Sequence, residues 1–488
     1  MAGADLAALA ERMRAVLGAG GVLTDRAQLR TYECDGLAHF RVTPALVALP
    51  ETADQVAAVV RLCAEVNVPY VARGSGTGLS GGALPVADGV LIVLARMRKI
   101  VEIDIPNQRA VVEPGVINLW VTREVTPHGY YYAPDPSSQL VCSIGGNVAE
   151  NSGGAHCLKY GFTTNHVTGA EVVLPDGEVV HLGGKAVDHP GYDLLGTFVG
   201  SEGTLGIATE VTLRLVRKPE AVQTMLAGFP SIEDAAGATS DIIGAGIVPA
   251  AIEMMDALAI EAAEAAVHCG YPAGAAAVLV IELDGPQAEV DHQFGQVEEL
   301  CHGRNAFEIR IAQDEAERAL MWKGRKSAFA AVGRISPDYF VQDGVIPRTV
   351  LPEVLGRITD LAAAKGLRVA NVFHAGDGNL HPLVLFDEDI PGQAEKAEHV
   401  AGGILDLCIE YGGSITGEHG VGSDKAKYMG RQFTAEDLDT MQLLRCAFDP
   451  AGLSNPGKVF PTPRLCGEAP GPRKGAHPLQ QAGLAEVF

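Results

Sequence analysis

The stretch Val68–Pro85, VPYVARGSGTGLSGGALP, constrains this chain more than any other. An apolar run at Val68–Ala72 reads as a strand and empties into a loop holding Gly74, Gly76, Gly78, Gly81 and Gly82. Glycine lacks a Cβ, so such a loop can adopt positive φ and bring main-chain N–H groups close to a ligand. Successive N–H groups form an anion-binding concavity suited to a pyrophosphate. Gly76, Gly78 and Gly81 spell GxGxxG, a weak signal alone, and a βαβ dinucleotide fold needs a helix to open inside the loop. Gly82, Pro85 and Gly89 leave no room for one. No Gly-Lys-Ser/Thr follows, which excludes a P-loop.

At 488 residues the chain exceeds one ordinary core, and two or three domains are expected. A net charge of −23 argues against a broad basic face for nucleic acid or an anionic membrane, while leaving room for a basic pocket. No apolar run reaches transmembrane length. The N-terminal MAGADLAALAERMRAVLG has helical period and carries Asp5 and Glu11, so it reads as no secretory signal. Nine cysteines without a CxxC exclude a zinc ribbon or iron–sulfur ligand set and read as reduced thiols of a cytoplasmic chain.

Helices are expected over Asp5–Leu17, from Thr52 (capping with Gln55) to Glu65, and over Ile117–Val125 with Trp120 inward. Short strands are expected at 45–49, 89–94, 100–105 and 109–113. Ala133–Gly154, APDPSSQLVCSIGGNVAENSGG, has too many glycines, prolines and serines for a good helix or strand. Its Leu140, Val141, Ile144 and Val148 indicate packing, either as a self-stabilised loop or around a cofactor. A hairpin turns at Pro175-Asp176-Gly177, a second glycine loop is GSEGTLG at 200–206, and Lys218-Pro219 marks a boundary. Beyond it, strands and helices alternate, which predicts an α+β unit: an antiparallel sheet with helices on one face.

Two clusters there carry chemistry. In FHAGDGNLHP, His374 and His381 flank a Gly-Asp-Gly-Asn turn; in SITGEHGVG, Glu418 and His419 sit between glycines. Two histidines and a carboxylate with open positions form an established set for a divalent ion, with zinc, manganese and iron equally admissible. Spacing alone leaves ordinary loop histidines open.

In order and spacing, RGSGTGLSGGALP, PDPSSQ, SIGGNVAENSGG and GSEGTLGI resemble the FAD domain of the vanillyl-alcohol-oxidase/PCMH flavoprotein superfamily. The resemblance implies a PCMH-type FAD-binding domain over residues 1–218, a substrate and metal-binding cap over 219–430, and a segment at 431–488 that returns to the flavin and ends in a flexible tail. It implies FAD contacts at Arg73, Gly74, Ser75, Gly76, Thr77, Ser80, Gly81, Pro134, Ser143, Gly146, Asn147, Asn151, Ser152, Gly153, Glu202, Gly206 and Ile207. The NPGK segment adds Asn455 and Lys458. Thr77 stands where some members carry a histidine that attaches FAD, so non-covalent FAD is expected.

HAGDGNLHP and GEHGVG resemble the metal motifs of the FAD-linked D-2-hydroxy acid dehydrogenases, which act on D-lactate, D-2-hydroxyglutarate or glycolate. The resemblance implies His374, His381 and Glu418 as ligands of a divalent metal and His419 as base. MWKGRKS resembles the segment whose arginine, three residues after tryptophan, binds the substrate carboxylate; Arg325 holds that place. Members acting on D-2-hydroxyglutarate carry an asparagine where this chain has Leu383, which implies a small monocarboxylate, since an apolar residue leaves a second carboxylate unpaired. Nearly the whole chain most resembles the FAD-linked catalytic subunits of bacterial glycolate oxidases.

The implied reaction is oxidation of glycolate or a small D-2-hydroxy acid by hydride transfer to flavin, with metal-assisted deprotonation of the hydroxyl by His419. A histidine's ordinary pKa near ~6.5 suits that base. The same resemblance implies a second flavin-type subunit and an iron–sulfur subunit as electron acceptors, and peripheral attachment at the inner face of a membrane through them. Three other readings compete. A non-redox relative making alkyl-glycerone phosphate needs no metal motifs, a metal-dependent hydrolase would be colourless, and a non-catalytic flavoprotein subunit would tolerate loss of His419 or Arg325.

Overall fold

The computed structural model describes residues 5–37, 39–186 and 190–461; the expected tail beyond Pro461 lies outside them. The chain opens with helix Leu6–Leu17, whose first turn is satisfied by the Asp5 side chain accepting from the Ala7 and Ala8 N–H groups. Helix Ala53–Glu65 is capped by Thr52, while the Gln55 side chain accepts from the Glu51 N–H, one residue earlier than a capping box predicts. Both helices cover a four-stranded sheet in the order Val22–Leu23, Leu46–Ala48, Val90–Val93, Tyr70–Arg73. The last three strands are parallel, so the glycine loop after Arg73 leaves the sheet at its carboxyl edge.

A second, antiparallel sheet follows in the order Ile100–Asp104, Arg109–Val112, Ile207–Arg214, Val167–Val173, Val179–Gly183. The predicted hairpin is its outer pair. Against it packs helix Ile144–Glu150, inside a stretch where the sequence promises no helix. Burial of Ile144 and Val148 outweighs the two internal glycines, and Asn151 ends the helix in the left-handed region at φ 51°. Leu140 and Val141 correct the expectation of packing: they are 64% and 55% exposed, because the chain before Ser143 runs over the surface. Trp120 is also 37% exposed, since Val121 and Val125 occupy the inward stripe of its helix.

The second half forms an antiparallel sheet in the order Glu308–Ile311, Ala221–Phe229, Ala277–Gly285, Ala251–Asp256, Arg368–His374, Asn379–Leu380, Gly344–Val345, extended by Pro382–Phe386 beside Arg368–His374 and by Asp338–Val341. Alternate side chains serve opposite cores, as a pleated strand requires. Met225, Leu279 and Phe373 pack under helices Ile232–Gly244, Gln287–Gly303, Leu351–Ala364 and Gln393–Glu410. Leu226, Val280 and Val372 pack under Ala257–Val267 and Glu315–Val332. The α+β class stands, but helices cover both faces rather than the one expected, and the site lies on the two-helix side.

Helix Ala435–Phe448 leads back to the first sheet, where Ser454 pairs in parallel with Tyr70. Among the described residues seven cysteines are free thiols. No helix among the described residues is long and apolar enough to cross a membrane.

Candidate active site

A cavity of about 700 Å³ opens between the glycine loops of the first half and the two-helix face of the second. Arg73, Gly74, Ser75, Gly76, Thr77, Ser143, Gly146, Asn147, Ser152, Glu202, Gly206 and Ile207 line it, as do His381, Glu418 and His419. Close approach requires the glycines. A Cβ on Gly74 would stand 2.1 Å from Ser143 Oγ, the atom that accepts from the Ser75 N–H at 3.2 Å. Gly76 holds φ 71°. A wall of this length built from main chain suits a dinucleotide with a pyrophosphate bridge.

The other expected contacts stand behind that wall. Asn455 Nδ2 donates to the carbonyls of Gly82 (2.8 Å) and Glu202 (2.6 Å), and Lys458 Nζ donates to Leu84 O at 3.0 Å. The Pro134 carbonyl accepts from Asn118 Nδ2 at 3.1 Å, Asn151 Oδ1 accepts from the Thr164 N–H at 2.9 Å, and the Ser80 carbonyl accepts from the Asp424 N–H at 3.1 Å. Gly81 abuts Ser423, and a Cβ on Gly153 would stand 2.8 Å from Glu418 Oε2. These residues shape the loops, and some tie the two halves together.

The metal candidates converge. The turn after Arg368–His374 pairs His374 with Asn379 and sets the His374 and His381 ring centroids 5.2 Å apart. Glu418 Oε1 stands 3.3 Å from Nε2 of each histidine. Two donors on one tetrahedral ion with bonds of ~2.0–2.1 Å lie roughly 3.3–3.4 Å apart, which the two Glu418–histidine separations match, and the three ligand atoms all lie within 4.8 Å of one another. Both ring nitrogens of His381 are buried without hydrogen-bond geometry to any partner, so the ring has donor capacity that an ion could use. Asp343, His381 and His419 form a second cluster, but Asp343 is already saturated. Its carboxylate accepts from Thr416 Oγ1 (2.6 Å), the N–H groups of Gly417 (3.1 Å), Glu418 (3.1 Å) and His419 (2.9 Å), and Lys425 Nζ (3.2 Å).

His419 stacks on His381 with centroids 4.9 Å apart and planes 11° apart. Burial is the main cause that pushes its pKa down to about 4, below the ordinary value that suits a base; Asp343 opposes this and His381 adds to it. The ring is therefore neutral near pH 7, and burial makes it a weaker base than an ordinary imidazole. Burial works against ionised Glu418 too, yet the surrounding histidines outweigh it and hold its pKa down at about 2.

Arg325 does not line the cavity. It is buried in helix Glu315–Val332, with Nη2 2.7 Å from Glu253 Oε2; the cation of this helix on the wall is its neighbour Lys326. Leu383 is wholly buried in the apolar cluster under that helix, behind the wall. It lies two residues past His381, where the helix has covered the face.

Sequence reasoning missed Glu253, Asp343, Glu150 and Lys326. Glu253 left a trace as a lone acid in the apolar run AIEMM, which signals a partnered charge. Asp343 breaks an extended run within Tyr339–Ile346. Glu150 lies between Gly82 and Gly420, its Oε2 buried without a partner, and nothing in the motif around it announces this.

Comparison with known proteins supplies the lineage. Residues 44–183 match the model of an FAD binding domain, and 218–459 match the C-terminal domain of FAD linked oxidases. The glycolate oxidase subunit GlcD of Escherichia coli (strain K12) is 53% identical over 437 residues, covering 90% of this chain and 88% of that protein. The mitochondrial D-lactate dehydrogenase [cytochrome] of Arabidopsis thaliana is 31% identical over 426 residues, covering 87% and 74%. The fold superposes on p-cresol methylhydroxylase with substrate bound at a TM-score of 0.78 and 18% identity, covering 93% and 96%. With a PCMH-type fold, a main-chain cradle for FAD and near-complete coverage by these relatives, the chain belongs to the FAD-linked oxidases and is an FAD-dependent oxidoreductase.

Proposed function

We propose that the protein oxidises glycolate, or a small D-2-hydroxy acid such as D-lactate, to the 2-oxo acid, using non-covalent FAD and a divalent metal. The observation that carries this reading is the convergence of His374, His381 and Glu418 on one point beside the flavin cavity. When bound, FAD supplies a hydride acceptor and the metal a Lewis acid for the 2-hydroxyl.

The chain's own groups do the rest. His374, His381 and Glu418 hold the ion, and neutral His419 takes the hydroxyl proton. Lys326, on the cavity wall, is the cation of its helix that faces the substrate carboxylate, while Arg325, which the motif resemblance assigns to that role, lies behind it beside Glu253. Phe329, Tyr339 and Val341 line the cavity with apolar or aromatic surface that offers no partner to a second carboxylate, which favours a monocarboxylate. Residues 1–218, 219–430 and 431–488 are assigned as the flavin, cap and return segments. The relatives' naming as a subunit supports partner subunits, which we assign as a second flavin-type chain and an iron–sulfur chain in a cytoplasmic complex peripheral to the membrane.

Anaerobic titration of the metal-supplemented holoprotein with glycolate, D-lactate, L-lactate and D-2-hydroxyglutarate tests the reading. Bleaching of the visible flavin band by glycolate or D-lactate, and weakly by the other two, is expected. An unchanged band with all four in FAD-loaded protein would sink it. Lys326→Gln and Arg325→Lys then separate the two cations by their effects on KM.

A further inference from the structure

We propose that Glu253 is a positioning residue of the metal centre, joining Arg325 to the ligand His374 through one buried carboxylate. The inference rests on the metal reading above. Glu253 is 1% exposed in the apolar strand Ala251–Asp256, and a buried carboxylate there demands compensation. It has two partners: Oε1 lies 2.7 Å from His374 Nδ1 and Oε2 lies 2.7 Å from Arg325 Nη2. Register makes the first contact, since Glu253 and His374 are directly opposed on neighbouring antiparallel strands. The second comes from helix Glu315–Val332 above them.

With Nδ1–H donated to Glu253, the Nε2 lone pair of His374 faces Glu418 and the point where the ligands converge. A carboxylate in that place fixes the tautomer and raises the basicity of the ligand. Arg325 acts in the opposite sense: its charge draws on the same carboxylate and adds a positive charge behind the site. Glu253 strengthens metal binding and Arg325 limits it. A role in packing alone would give both residues the same sign.

The test is Mn²⁺ binding to the metal-free, FAD-loaded full chain, read from the electron paramagnetic resonance of free Mn²⁺. Flavin absorbance and thermal unfolding serve as checks on folding. Glu253→Gln is expected to weaken Mn²⁺ binding about 10–100-fold, the range for lost outer-shell partners of metal ligands. Glu253→Asp should restore part of the affinity, and Arg325→Gln should tighten binding severalfold. Wild-type affinity in Glu253→Gln, or equal weakening in the Gln variants at both positions, would overturn the inference. If Glu253→Gln does not fold, the tightening in Arg325→Gln decides by itself. A wild type that takes up no Mn²⁺ would overturn the metal reading and this inference together; uptake by wild type and Glu253→Gln alike would overturn only this one.

Discussion

The flavin cradle and the cluster of His374, His381 and Glu418 meet at one cavity, yet they are held in opposite ways. The cradle is main chain tied by short polar side chains: Gly74 admits the Ser143 hydroxyl, the Asn455 amide grips the carbonyls of Gly82 and Glu202, and the loop order follows the sequence. The histidine cluster is held from behind by buried carboxylates of distant segments. Glu253 braces His374, Asp343 gathers the N–H groups of Gly417 to His419, and Glu202 takes those of Val421 and Gly422 at 2.6 Å each. A cradle of glycines fails by crowding. A centre braced by buried charge fails when one charge goes.

The largest effect should therefore come from Asp343→Asn. Lys425 Nζ, itself buried, would face an amide, and the loop carrying Glu418 and His419 would lose its anion. Removing one partner of a buried pair costs about 3–5 kcal/mol, so chemical denaturation should show a loss of that order. A loss under ~1 kcal/mol would make the centre no more fragile than a surface ion pair and erase the contrast.

His156 joins the two regions and comes next. Its Nδ1 lies 2.8 Å from Asp135 on the flavin side, and its Nε2 lies 3.2 Å from Glu282, a residue of the second half's sheet that Arg318 also holds at 2.9 Å. Burial disfavours the charged ring, but the two carboxylates outweigh it and push its pKa up to about 10. A raised histidine pKa contributes stability that is full below its ordinary ~6.5 and fades as pH rises through the folded value. Wild type should exceed His156→Gln by roughly 1.5–3 kcal/mol near neutral pH, the worth of bonds to charged groups. The difference should close by pH 10; a pH-independent gap would mean the ring is held neutral.

Crowding the cradle should cost less than removing a brace. Gly74→Ala drives a Cβ into Ser143 Oγ, an overpacking worth about 1–3 kcal/mol, felt as weaker FAD retention. Adding Ser143→Gly should recover it in fluorescence titration of the apoprotein. If it does not, Gly74 is needed for its backbone alone.

The same contrast explains what the sequence disclosed. Glycine requirements are local, so the loops at 74–82 and 200–206 could be read from spacing, and so could His374 and His381, which one turn brings together. Glu418 joined them only through the resemblance of its motif. Glu253, Asp343 and Glu282 reach their partners across strands and helices paired by the tertiary fold, and register is invisible in one sequence. The second helical layer was missed for a similar reason. Strands buried on both faces read as continuous apolar runs, which do not say how many faces are covered.

The smallest effect discriminates within a single stretch. Leu140 and Val141 are exposed, whereas Ile144 and Val148, a few residues on, are 0% and 1% exposed. Apolar content alone gives the four residues equal weight in the core; the surface course of the chain before Ser143 does not. Leu140→Ser with Val141→Ser should shift stability by no more than about 0.5 kcal/mol, as substitutions away from packing do. Ile144→Ala should cost about 2–5 kcal/mol and loosen the cradle through the helix that carries Asn147. A large loss from the first pair would place those side chains in a core, and the cradle would then depend on apolar packing as much as on its glycines.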